Sequence, residues 1–205
     1  MHTVPALRGL TIGDDAAGWR AAGFEVPDDR YAVGGVTVRL AGRDGFRGVR
    51  SWHLEHPRPA DVEGLIHEEV DAAPPAAHRN GAIAVDHVVV GTSGLERTTS
   101  ALASLGVVPR RTVEGVRDGR GARFRFFLLG TCILEVIAPT EPRSDRPARF
   151  WGVAFVVNDL EATVAALGDA CGPAHDAVQP GRRIASLRHE DLGVSVPVAF
   201  MTARE

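Results

Sequence analysis

Asp86-His87-Val88-Val89-Val90, followed by Ser93-Gly94-Leu95-Glu96-Arg97-Thr98, has a second copy further along the chain. That copy is Trp151-Gly152-Val153-Ala154-Phe155 with Asn158-Asp159-Leu160-Glu161-Ala162-Thr163. At an offset of 65 residues, Leu95, Glu96, Thr98, Ala101 and Leu102 fall on Leu160, Glu161, Thr163, Ala166 and Leu167. A repeat of this length calls for two copies of one supersecondary unit packed together. The same offset carries His87 onto Gly152, so one half holds a polar group where the other holds none.

Working outward, Ile83 to Val90 is a β-branched run of strand length. Ser93 three residues before Glu96 reads as a capping box, with Leu95, Thr99 and Leu102 as the apolar face and Gly106 as the stop. Strands are expected around Val107 to Val116, Ala122 to Leu129 and Cys132 to Ala138, with Gly119, Gly121 and Gly130 at the turns. The order is βαβββ over 82–138, and 150–205 repeats it. There Val153 to Val157 is the first strand, and Asn158 with Glu161 is the cap. Leu160, Val164 and Leu167 form the helix face, and strands follow near Ala174 to Val178, Arg183 to Arg188 and Val194 to Met201. Residues 139–149, with Pro139, Pro142 and Pro147, read as an exposed connector. Residues 1–56 read as a worn βαββ unit: a strand Leu7 to Ile12, a cap at Asp14 or Asp15, a helix Ala16 to Ala22, then strands Tyr31 to Ala41 and Val49 to His56. In it Gly9 stands where His87 stands. Residues 57–81, rich in Pro and Ala, read as a linker.

Bulk composition narrows the function. The 205 residues are 44% hydrophobic and 24% charged, with a net charge of −3, which disfavours nucleic acid as a partner. No apolar run reaches the roughly 20 residues that span a bilayer, and the N-terminus lacks a signal pattern. The two cysteines, Cys132 and Cys171, read as small core residues, and a cytoplasmic setting follows. All 23 basic residues are arginine. The absence of lysine excludes Schiff-base chemistry, a P-loop and a lysine base. The Arg, Ala and Gly bias fits a GC-rich bacterial genome.

Paired βαβββ units with this cap and these strands resemble the vicinal oxygen chelate superfamily. It includes glyoxalase I, extradiol dioxygenases, methylmalonyl-CoA epimerase, and bleomycin- and fosfomycin-resistance proteins. The resemblance implies an α+β fold in which paired units form a barrel-like cup around a ligand, here with a degenerate N-terminal third unit. Three half-cups leave one unpaired, and a homodimer is expected from it. The resemblance also implies that metal ligands come from the first and last strands of each unit. His87 matches the first-strand ligand and Glu135, in Ile133-Leu134-Glu135-Val136-Ile137, the last-strand ligand. Their counterparts in the second unit, Gly152 and Val198, cannot bind metal, which disfavours a His-His-Glu dioxygenase.

Both faces of the Glu135 strand are apolar, so its carboxyl lies inside something. A buried carboxylate costs several kcal/mol unless paired, protonated or metal-bound. Imidazole and carboxylate suit a divalent ion such as Zn, Ni, Mn or Fe, but two protein ligands are one short of the usual three. His175, His189, the ligand or a second subunit would have to supply the rest. Without metal, His87 and Glu135 make an acid–base couple. Arg183 and Gln179, at a turn with Arg182, are candidates for clamping an anionic substrate group, Arg182 itself reading as solvated. Trp151 beside the vacant Gly152 is a candidate stacking wall. The hairpin Arg110 to Arg125 reads as a solvated lip, and His53, Glu55 and His56 as polar dressing on an edge strand. The expected function is a glyoxalase-like small-molecule enzyme of lyase or isomerase type. The alternative is a metal-free small-molecule binding or sequestration protein of the bleomycin-resistance type.

Overall fold

Two sheets built on one plan make up the molecule, seen in a computed structural model that describes residues 4–56, 59, 61–141 and 145–204. The chain order is β1 (Leu7–Ile12), α1 (Ala16–Ala21), β2 (Arg30–Val33), β3 (Val36–Leu40), β4 (Val49–Leu54), β5 (Asp61–Val62), β6 (Leu65–His67) and β7 (Ala82–Gly91). It continues with α2 (Leu95–Ser104), β8 (Pro109–Arg117), β9 (Arg120–Leu129), β10 (Cys132–Pro139), β11 (Arg149–Val157) and α3 (Leu160–Leu167). The strands β12 (His175–Asp176), β13 (Arg183–Ser186) and β14 (Val198–Met201) complete it. The fold is α+β, and the repeat read from sequence is present as an eight-stranded sheet in the order β12-β13-β14-β11-β7-β10-β9-β8.

Each half of that sheet runs second, third, fourth, first strand, and the two first strands pair antiparallel at the middle. The pairing obeys the offset of 65: His87 lies opposite Ala154, and Gly152 lies opposite Val89. A two-fold relation between the units therefore passes between β7 and β11. The caps differ from expectation. Asp159, not Asn158, accepts the Ala162 amide at 3.0 Å and opens α3. In α2 the N-cap is Gly94 without a side-chain bond, Ser93 donates to the Arg146 carbonyl, and Glu96 pairs with Arg125.

The N-terminal sheet, in the order β2-β3-β1-β4-β6-β5, is a shortened version of the same pattern. Gly34 and Gly35, both at positive φ, break the expected strand Tyr31–Ala41 into the hairpin β2–β3. β1 then pairs β3 in parallel and β4 antiparallel, as β7 pairs β10 and β11. The partner half comes from β4, β5 and β6. Residues 61–67, read as linker, thus supply two strands, and β4 is central rather than an edge. The third unit that prompted the expectation of a homodimer finds its pairing partner in its own chain. Pro142, expected in the connector, lies outside the described residues.

One apolar core joins the two sheets. Trp19, Phe24, Tyr31 and Trp52 from the first meet Phe150, Phe155 and Phe200 from the second, with Phe24 and Phe155 ring centroids 4.9 Å apart and Trp52 and Phe150 5.4 Å apart. Leu95 and Leu102 of α2 and Leu160 and Leu167 of α3 pack into the same core. Cys132 and Cys171 are free and buried, and burial pushes the Cys132 thiol up to about 12. No helix among the described residues is long and apolar enough to cross a membrane.

Candidate functional site

Residues opposed across a ladder share a face of the sheet. His87 and Val89 on β7, Ile133, Glu135 and Ile137 on β10, Phe124 and Phe126 on β9, and Gly152 and Ala154 on β11 are linked by that rule to one face. The other face carries Val88, Val90, Leu134, Val136, Val153 and Val198 into the core.

A β-bulge shapes the site. Along β7 the register steps from His87 opposite Ala154 to Val85 opposite Phe155, leaving Asp86 unopposed. Such an extra residue re-aims neighbouring side chains. Asp86 and His87, adjacent in sequence, are thereby brought together: His87 Nδ1 donates to Asp86 Oδ2 at 2.8 Å. Arg182 donates to both carboxylate oxygens, at 2.8 Å from Nη2 and 3.3 Å from Nη1, and Arg204 adds a bond at 3.1 Å. Burial pushes the Asp86 carboxyl up, but the bonds from His87 and Arg182 and the charges of His87 and Arg204 outweigh it. The carboxyl is held well below the usual carboxylate range.

With Nδ1–H donated to a fixed anion, His87 turns Nε2 toward Glu135, whose Oε2 lies 3.8 Å away. That separation is just outside a direct hydrogen bond. His87 is 15% exposed and Glu135 18%. Burial raises the Glu135 pKa, the charges of His87 and Arg117 opposing it only in part. A carboxyl with an elevated pKa thus sits beside a histidine ring whose orientation Asp86 fixes.

Further along the same face lies a hollow of about 940 Å³. Its apolar floor is Val89, Ala122 and Ile137, with Phe124 packed against them. Its walls include Thr92, Thr140, Arg117, Arg120, Arg149 and Trp151. The lining stops at Val89 and Ile137, one alternation short of His87 and Glu135. Trp151 occupies a second bulge, is 43% exposed, and lies under the Arg117 guanidinium at 3.8 Å from the ring centroid.

Other expected site residues fall elsewhere. Gly152 leaves no vacancy, because a Cβ there would meet the Pro197 carbonyl oxygen at 3.0 Å. Arg183 pairs with Glu161 of α3 and donates to the Ala174 carbonyl, away from the His87 face. Gln179 stays in the turn, where its carbonyl accepts from the Arg182 amide at 3.2 Å. Arg182, expected to be solvated, is 6% exposed and anchors Asp86. Sequence reading missed both Asp86 and Arg182. An acid directly before a strand histidine was the available signal, but alternation sends neighbours to opposite faces, and only the bulge reverses that. Val198 is not the counterpart of Glu135. It pairs with Val153 as Leu134 pairs with Val88, so the counterpart is Ala199. His53 accepts from the Val70 amide, and Glu55 pairs with Arg8 at 2.7 Å.

The donor set does not fit a resident divalent metal. Gly152 and Ala199 offer no ligand, and no group of three His, Cys, Asp or Glu is poised to hold an ion among the described residues. Catalytic zinc sites ordinarily draw on three protein ligands.

Solved structures share this architecture. A 4-hydroxymandelate synthase mutant from Streptomyces coelicolor superposes with a TM-score of 0.67 at 14% identity, covering 98% of this chain and 94% of the other. A catechol 2,3-dioxygenase gives 0.59 at 11% identity, covering 98% and 88%. An extradiol ring-cleaving dioxygenase from B. fuscum gives 0.56 at 14%, covering 98% and 72%. No family model matches the sequence, and no curated protein does. The chain has the fold of the vicinal oxygen chelate superfamily.

Proposed function

We propose that this chain is a small-molecule enzyme of isomerase or lyase type that moves a proton with Glu135 and His87. The observation that supports it most is the pair itself. Glu135 is a partly buried carboxyl with a raised pKa, and His87 Nε2 lies 3.8 Å from it with Nδ1 held on Asp86. A base near the working pH removes a proton from carbon next to a carbonyl most effectively. In its ionised form Glu135 takes that proton and becomes a neutral acid, while the carbon keeps the electron pair as an enolate. In its imidazolium form His87, held by Asp86 through Nδ1–H, is placed to donate its Nε2 proton to the enolate oxygen or to return it to carbon. A lyase would differ only in losing a group from the neighbouring carbon.

Proton exchange tests this without knowledge of the full reaction. The protein is incubated in D2O with 2-oxo acids, 3-oxo acids and acyl thioesters, and loss of the α-proton signal is followed by NMR. At least one class should exchange in proportion to protein, with Glu135→Gln slower by about 100-fold or more. Exchange in none of them, or equal exchange by Glu135→Gln, removes the reading.

A second reading is metal-free sequestration of a small molecule. It is favoured by the hollow, which is roomy and apolar-floored yet stops short of His87 and Glu135. Tight binding without exchange would select it.

A further inference from the structure

The arginines of the β8–β9 hairpin, read from sequence as a solvated lip, are part of the hollow's wall. Arg117 and Arg120 are a cross-strand pair flanking the Asp118-Gly119 turn, and Arg149 opens β11 on another wall. With Arg146 they set four arginines against two carboxylates, Asp118 and Glu141, around the described lining. Arg120 and Arg149 have no ion pair or side-chain hydrogen bond among the described residues, whereas Arg123 and Arg125 on the same hairpin are engaged by Glu96. Arg117 lies over the Trp151 ring, with Asp118 3.6 Å from its Nε. Below these charges the floor is carbon: Val89, Ala122, Ile137 and Phe124.

From this juxtaposition we infer that the hollow binds an amphiphilic anion, its apolar body on the floor and its carboxylate or phosphate between Arg117, Arg120 and Arg149. Guanidinium groups recognise both oxyanions through paired N–H donors, and a hollow of this volume suits a small organic molecule. The inference names the ligand class for the site proposed above, but binding does not depend on proton transfer. The two therefore fail separately: Glu135→Gln should bind normally while losing exchange.

Trp151 provides the readout. The chain has three tryptophans, and Trp19 and Trp52 are fully buried, so quenching by a ligand in the hollow reports Trp151. The probes are 3-phenylpropanoate, 3-phenylpropyl phosphate and the neutral 3-phenylpropanamide, titrated into full-length protein. Both anions, or one of them, should give saturable quenching at least tenfold tighter than the amide. Whichever is tighter identifies the headgroup. The double variant Arg120→Gln/Arg149→Gln should lose about tenfold for the anions and leave the amide unchanged, with an unaltered melting temperature as the control for folding. Amide binding as tight as that of both anions, no saturable quenching by either, or anion binding unaffected in the double variant would each overturn the inference.

Discussion

At the scale of the residue, the site depends on Asp86. Its carboxylate is almost fully buried and receives Arg182, Arg204 and His87, so three donors converge on two oxygens. Removing the charge leaves Arg182, itself buried, without a counter-ion. Breaking a buried pair from one side costs about 3–5 kcal/mol. Asp86→Asn should therefore be destabilised by roughly that amount at pH 7 in urea denaturation. The pH dependence has a definite sign. The folded-state pKa of Asp86 lies below its unfolded value, so its contribution is complete above the unfolded value near 4 and is lost as pH falls through the folded one. The gap between wild type and variant should narrow as pH falls below about 4, and a pH-independent gap would show that the loss is steric.

Among the elements, segment 68–76 has a role that neither composition nor periodicity indicated. Glu68 accepts from the Ser51 hydroxyl at 2.7 Å, the Val70 amide donates to His53, and the Ala73 amide donates to Thr37. These contacts lay the segment across the face of the N-terminal sheet that corresponds to the His87 face of the other sheet. Gly9 is what permits it, since a Cβ at that position would stand 3.0 Å from Val70 Cβ. The N-terminal half-cups are thus filled by their own chain, and the eight-stranded sheet carries the open site. Gly9→Val should lift the segment, costing about 1–3 kcal/mol from overpacking, and expose it to limited proteolysis. Wild-type resistance in the variant would refute this close approach. What sequence reveals at this scale is uneven. The 65-residue offset is carried by strand alternation and by the apolar face of each helix, so β7, α2, β11 and α3 were legible. The bulge at Asp86, the hairpin at Gly34-Gly35 and strands of two and three residues leave almost no periodic trace. That is why Arg182 was read as solvated, residues 61–67 as linker, and Glu135 as matched with Val198 rather than Ala199.

Across the whole molecule, the shared core makes the two sheets one cooperative unit. Phe24 connects them, touching Trp19 and Tyr31 on one side and Phe155 and Phe200 on the other. Phe24→Ala should cost about 3–5 kcal/mol, and both sheets should still unfold together. In a Trp151→Phe background, fluorescence from buried Trp19 and Trp52 would follow the first sheet, and backbone amide NMR signals of β7 and β10 the second. Separate midpoints would mean that the sheets are energetically independent. The same arrangement explains the division of labour: helices and core lie on the inner faces, and the outward face of the larger sheet is free to hold His87, Glu135 and the arginine-rimmed hollow.

The most direct test of the central claim is the titration of Glu135 followed by its side-chain carboxyl carbon in NMR, in wild type and in His87→Gln. A midpoint above the ordinary glutamate range is expected in the wild type. A further rise is expected in the variant, because the charge of His87 opposes the effect of burial. An ordinary midpoint that His87→Gln leaves unmoved would contradict a coupled proton pair and leave the hollow as a binding site alone.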